Sequence, residues 1–156
     1  MLTVDIPGFG NLVLAHVVLD YNGTLALDGA LPAPVRERVT ALARKLEVHV
    51  VTADTFGKAA AELAGLPCTL QVLPADDQDT AKMMYVRNLG PSQVVAIGNG
   101  RNDRAMLRAA ALGIAVTGAE GLAVEALTAA NVVVKNVVDA LDLLDNPLRL
   151  MATLRS

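Results

Sequence analysis

Short apolar runs alternate along this chain with segments whose apolar residues recur at helical spacing. Leu2–Ile6 and Leu12–Leu19 flank the turn Pro7-Gly8-Phe9-Gly10-Asn11, which predicts an antiparallel N-terminal hairpin. Ala33–Leu46 carries Val35, Val39, Leu42 and Leu46 at a helical period and opens on Pro34. Further strands are expected at Glu47–Thr52, Thr69–Leu73, Gln93–Ile97, Gly113–Val116 and Val132–Val134. Further helices are expected at Phe56–Ala64, Asp79–Leu89, Asn102–Ala111, Leu122–Ala129 and Val137–Leu144, with Pro147–Arg155 as a helical tail. This alternation predicts an α/β fold, a doubly wound, mostly parallel sheet flanked by helices and joined by right-handed crossovers. In such a sheet the site lies beyond the carboxyl ends of the strands, here after Leu19, Val51, Leu73 and Ile97. One domain is expected over residues 1–156, with no internal repeat or linker.

Composition narrows the function classes. Of 156 residues, 53% are hydrophobic but only 3% aromatic, and the apolar residues are mostly Ala, Val and Leu, as in buried parallel strands under small-residue helices. Few aromatics argue against stacking on single-stranded nucleic acid. A net charge of −3 argues against a general polyanion binder yet leaves room for a local phosphate site. The lone Cys68 excludes an internal disulfide and a multi-cysteine zinc site and reads as a small core hydrophobe. No apolar run has the roughly 18–20 residues of a membrane span. Met1–Gly10 lacks a basic n-region, so a cytoplasmic protein is expected.

Four strand ends carry chemistry. After Val13–Leu19 come Asp20-Tyr21-Asn22-Gly23-Thr24-Leu25. A carboxylate there can attack phosphorus, although Asp20 read alone also fits an Asx turn closing a strand. Thr52-Ala53-Asp54 offers a hydroxyl for a phosphoryl oxygen, or an ordinary helix cap. Lys82, in the helix after the third parallel strand, can supply a cation; read alone it is a surface lysine. Gly98-Asn99-Gly100-Arg101-Asn102-Asp103 lets the backbone approach a ligand, and Asn99 and Asp103 offer oxygens that suit hard Mg²⁺. Together these provide a nucleophile, a hydroxyl, a cation and a metal carboxylate, the inventory of phosphoryl transfer. His16, His49, Arg101 and Arg104 have structural or solvent-exposed readings. The Asp76-Asp77-Gln78-Asp79 cluster reads as a solvated helix start.

These motifs resemble those of the haloacid dehalogenase superfamily of phosphohydrolases, and within it the soluble P-type-ATPase-like proteins. Asp20–Leu25 is similar to Asp-Lys-Thr-Gly-Thr-Leu, Thr52–Asp54 to Thr-Gly-Asp, and Gly98–Asp103 to Gly-Asp-Gly-x-Asn-Asp. Leu112–Gly118 also follows the pump pattern. The resemblance spans roughly Val13 to Leu144 and implies a Rossmann-like domain. It implies that Asp20 is the nucleophile and a Mg²⁺ ligand, and that Asn22 lends its backbone carbonyl to the metal. Thr52 and Lys82 would hold phosphoryl oxygens, Asp103 and Asn99 would complete the metal site, and Tyr21–Pro32 would form a small loop and flap.

The departures are informative. Many family phosphatases place a general acid–base Asp two residues after the nucleophile, where this chain has Asn22. Acid–base help is typically worth about 10²–10⁴-fold, so good leaving groups and a slowly discharged phospho-Asp20 are expected. Asp28 in the flap is a candidate substitute acid. Asn99 stands where another Asp is usual, so weaker Mg²⁺ binding is expected. Both changes together allow an alternative, a catalytically weak domain that binds phosphate or a protein partner. About 30 residues separate Asp20 from Thr52 and again Thr52 from Lys82, too few for a cap domain. The site should be open or shielded by another subunit, and the apolar tail Leu148–Leu154 leaves a homo-oligomer open. A small phosphorylated molecule is the expected substrate, with no nucleic acid or membrane partner.

Overall fold

The break in the second apolar run sets the topology. The computed structural model describes residues 1–54 and 57–156. In it, Leu12–Leu19 is two strands, not one. β1 (Leu2–Ile6) pairs antiparallel with β2 (Gly10–Leu14), from Leu2 opposite Leu14 to Ile6 opposite Gly10. At Ala15 the chain leaves the hairpin: its N–H donates to the Gln93 carbonyl and its carbonyl accepts from Glu47 N–H. β3 (His16–Asp20) then enters a second sheet. β1 buries alternate residues, whereas β3 is buried on both faces from Val17 onward. An unbroken apolar run conceals that change.

β4 (Glu47–Thr52), β5 (Thr69–Val72), β6 (Val94–Gly98), β7 (Leu112–Val116) and β8 (Val132–Val134) join β3 in the order β5-β4-β3-β6-β7-β8. Every pairing in this sheet is parallel. The helices are α1 (Ala33–Leu42), α2 (Lys58–Leu63), α3 (Gln78–Leu89), α4 (Arg104–Ala109), α5 (Val124–Ala129), α6 (Val137–Asp145) and α7 (Pro147–Leu154). α1 stops four residues before the expected end, because Ala43–Leu46 closes into turns that lead into β4. The expected helix start at Phe56 lies outside the described residues. Arg101–Asp103 forms a 3₁₀ turn ahead of α4.

Alternation along the strands divides the core in two. Val17 and Leu19 of β3, with Val95 and Ile97 of β6, pack under α1, α2, α6, α7 and the hairpin. Val18, Val51, Val94 and Ala96 pack on the other face under Val86 of α3, Met106 and Leu107 of α4, and Ala126 of α5. α4 lies so close to β7 that a Cβ on Gly113 would fall 2.5 Å from the Leu107 carbonyl oxygen. The tail is not a free apolar face. Leu150 of α7 is fully buried, α7 packs against α6 and β1, and Ser156 N–H bonds the Pro7 carbonyl; Leu148 stays exposed. Among the described residues, no helix is long and apolar enough to cross a membrane.

The chain passes from β3 out to β5 and then returns to β6 on the other side of β3. Such a reversal opens a crevice between the carboxyl ends of the two strands. Asp20 ends β3, and Gly98 ends β6 with Asn99 directly after it.

Candidate active site

Asp20 shares its face of β3 with Val18, so its carboxylate points toward the α3 side of the sheet. On α3, Lys82 and Val86 lie four residues apart on one stripe, and both are buried. Val86 packs over the strands, and one turn earlier Lys82 reaches the crevice. Its Nζ donates to Asp20 Oδ1 and to Asp103 Oδ1, each at 2.7 Å. Lys82 is 1% exposed and Asp103 is fully buried, so the surface reading of this lysine does not hold. Only the docking of α3 shows that the polar member of this stripe finds two carboxylates.

Asp103 is fixed from below by its own loop. Its Oδ2 accepts the backbone N–H groups of Asn99 at 2.9 Å and Gly100 at 2.8 Å. The close return requires Gly98, since a Cβ there would fall 2.5 Å from Asp103 Cγ. An ionised carboxylate has about four acceptor positions. Lys82 and the two N–H groups use three of them, which leaves room for one further ligand.

Thr24 ties the two strand ends together. Its hydroxyl lies 3.3 Å from Asp20 Oδ2 and 3.1 Å from Asn99 Oδ1. Asn99 Nδ2 donates to the Gly121 carbonyl at 3.0 Å. This contact accounts for an amide at position 99. A carboxylate there could not donate to Gly121 and would oppose its carbonyl oxygen. Asn22 is exposed at the mouth and bridges to Ala26. Thr52, buried at the end of β4, lies one residue beyond the partner of Asp20 in register. Asp54 accepts the N–H of Ala59 at 2.7 Å and so holds the start of α2.

The segment after Asp20 is a miniature hairpin. Leu27 and Ala30 exchange two backbone hydrogen bonds of 3.0 Å around Asp28-Gly29. Both central residues have positive φ, 51° and 77°, the pattern of the tight turn that Asp-Gly favours. Tyr21 Oη anchors this flap to the Gly29 carbonyl at 3.0 Å, and Lys58 Nζ donates to the Asp28 carbonyl at 3.0 Å. Asp28 itself is exposed at the tip.

Charge is unbalanced in the crevice, where two buried carboxylates face one ammonium. Burial and then the neighbouring Asp103 raise the Asp20 carboxyl to about 7, against the pull of Lys82. Burial alone would lower Lys82, but Asp20 and Asp103 outweigh it and hold the ammonium above its ordinary value. The donor set is all hard oxygen beside excess negative charge, which fits Mg²⁺. Asp20, Asp103, the Asn99 side chain and the Asn22 backbone carbonyl are the residues that could hold it.

Glu120 was missed in the sequence. It is exposed on the loop after β7, and a Cβ on Gly23 would fall 2.7 Å from its Oε2. Its Oε1 accepts the flap's Asp28 N–H at 3.4 Å. The strand-end rule, applied to Val116 as to the other four strands, would have pointed to it. Arg104 and Arg101 are held away from Asp20 by acidic partners, Asp79 at 2.6 Å and Glu125 at 3.1 Å.

Known proteins resemble this chain in sequence over part of its length and in fold over most of it. The sequence profile of haloacid dehalogenase-like hydrolases matches residues 80–140, which include Lys82 and the Gly98–Asp103 loop. The uncharacterised protein MJ0073 of Methanocaldococcus jannaschii is 49% identical over 63 residues, 40% of this chain and 68% of that protein. Among solved structures, 3-deoxy-D-manno-octulosonate 8-phosphate phosphatase from Moraxella catarrhalis, in complex with magnesium ion, phosphate ion and a KDO molecule, has a TM-score of 0.70. It is 19% identical and covers 90% of this chain and 92% of its own. The cobalt-bound deoxy-D-mannose-octulosonate 8-phosphate phosphatase of Haemophilus influenzae also has a TM-score of 0.70, at 18% identity, over 89% of this chain and 90% of its own.

Proposed function

Because residues 80–140 match the haloacid dehalogenase-like hydrolases, we propose that the chain is a Mg²⁺-dependent phosphatase acting through an aspartyl phosphate on Asp20. The observation that carries this reading is Lys82 Nζ, buried at 2.7 Å from both Asp20 and Asp103. A buried carboxylate–lysine–carboxylate group is costly for stability alone, and pairs of buried ionisable groups mark functional crevices. The kinship with the P-type-ATPase-like subgroup rests on the motifs and is part of the proposal.

When bound, Mg²⁺ would offset the excess negative charge and draw electron density from the phosphoryl oxygens. Asp20, in its ionised form, attacks phosphorus; a P–O bond to Asp20 forms as the bond to the leaving oxygen breaks with its electron pair. Lys82 and the Thr52 hydroxyl donate to the phosphoryl oxygens as charge spreads over them. Asp103 holds Lys82 in place, and Thr24 orients Asp20. In the second step water attacks the phosphorus and gives up its proton to solvent, and the Asp20 carboxylate leaves with the electron pair of its P–O bond.

Asn22 cannot exchange a proton in either step. The leaving oxygen must therefore depart as an anion or take its proton from solvent, and aryl and acyl phosphates fit that requirement better than alkyl esters. The substrate class is a small phosphorylated molecule. The test is phosphate release from an aryl phosphate with and without Mg²⁺, with acid-quenched phosphoenzyme measured in parallel. Release that needs Mg²⁺ and vanishes in Asp20→Asn is the expected result. Phosphate binding with no turnover and no phosphoenzyme would favour the non-catalytic binding domain instead.

A further inference from the structure

At the amino-terminal end of the same strands, a second group of chemistry-bearing side chains takes no part in the crevice. His16 opens β3, Glu47 opens β4, and the register pairs them directly. His49 lies two residues further along β4 on the same face. His16 Nδ1 is 3.2 Å from His49 Nε2, Glu47 Oε2 is 3.4 Å from His16 Nδ1, and Glu47 Oε2 is 3.9 Å from His49 Nε2. A five-residue parallel strand separates them from Asp20, on the order of 13 Å at about 3.3 Å per residue.

We propose that His16, His49 and Glu47 form a binding site for one divalent transition ion of the Zn²⁺ class.

The distances decide the class. A triangle with edges of 3.2, 3.4 and 3.9 Å has a circumradius of about 2.0 Å, which matches Zn–N and Zn–O bond lengths of roughly 2.0–2.2 Å. Edges near 3.3 Å are those of a tetrahedron with such bonds. Two imidazoles and one carboxylate suit Zn²⁺ and its neighbours in the transition series and are a poor match for Mg²⁺. His49 also has the outer partner that a ligating imidazole usually has, since its Nδ1 lies 3.0 Å from Tyr85 Oη on α3. Glu47 is exposed, so the cluster opens to solvent, which would provide the fourth ligand. An ion there would join the starts of the two central strands.

The test is calorimetric titration of the metal-free full chain with Zn²⁺. The Asp20→Asn/Asp103→Asn chain serves as control, because Zn²⁺ can also occupy the carboxylate crevice. Both chains are expected to retain one Zn²⁺ of equal affinity at the histidine site. Loss of an outer partner alone costs about 10–100-fold in affinity, so His16→Gln, at a part-exposed sheet end, should weaken this binding by at least ~100-fold. Glu47→Gln, at the surface, should weaken it by ~10-fold and leave the fold intact. Zn²⁺ should also raise the thermal midpoint of the wild type and not that of His16→Gln. Unchanged affinity in His16→Gln, or Zn²⁺ binding lost in the Asp20→Asn/Asp103→Asn chain, would overturn the site. Neither outcome depends on phosphatase activity.

Discussion

Replacing Asp20 by Asn should stabilise the metal-free protein at neutral and alkaline pH while abolishing turnover. The Asp20 carboxyl titrates at about 7 when folded, against an ordinary value of 3.8. A raised carboxyl contributes stability that is complete below pH ~4 and is lost as pH rises through ~7. The displacement is roughly three pKa units, so at 1.36 kcal/mol per unit the ionised Asp20 costs about 4 kcal/mol at pH 8. The pull of Lys82 is already included in that value. His49, lowered by burial, gives the opposite trend, losing stability as pH falls through its folded pKa, but it is present in both proteins. The pH-dependent part of the difference therefore belongs to Asp20.

The assay is urea unfolding of wild type and Asp20→Asn in EDTA from pH 4 to pH 8, repeated with saturating Mg²⁺. In EDTA the wild type should lose about 4 kcal/mol relative to the variant across this range, equivalent to roughly 8–16 °C in midpoint for a chain of this size. With Mg²⁺ the divergence should close, because the ion holds Asp20 ionised at a cost the metal interaction offsets. Parallel stability curves for the two proteins in EDTA would refute the assignment of excess charge to this crevice.

Three further outcomes follow from the same geometry. Asn22→Asp should accelerate alkyl phosphate hydrolysis and phosphoenzyme discharge by about 10²–10⁴-fold, read by steady-state and acid-quench kinetics; unchanged rates would remove the proton-transfer explanation for slow turnover. Lys82→Met strands two buried carboxylates, so unfolding at pH 7 should show a loss of about 3–5 kcal/mol, partly restored by Mg²⁺ or by acid. Gly98→Ala drives a methyl group to 2.5 Å from Asp103 Cγ, so metal titration should show weakened Mg²⁺ affinity, with circular dichroism unchanged.

The sequence by itself determined the order and type of nearly all elements, because each strand and helix has its own hydrophobic period. It also determined which residues border the crevice, since parallel strands present residues at their carboxyl ends. Asp20, Thr52 and the Gly98–Asp103 loop were legible on that rule. Only the tertiary structure decided the break at Ala15, because a run of apolar residues reads the same whether it serves one sheet or two. Only it decided Lys82, whose burial depends on how α3 docks over β3 and β6 and not on any property of its own helix. The same holds for Asn99, fixed as an amide by the Gly121 carbonyl, and for Glu120, brought beside Gly23 from almost a hundred residues away in sequence. His16 and His49 read as structural residues one at a time, and strand register alone brings them to 3.2 Å of one another. Local periodicity encodes which face a residue takes, whereas charge pairing and ligand sets depend on which faces meet.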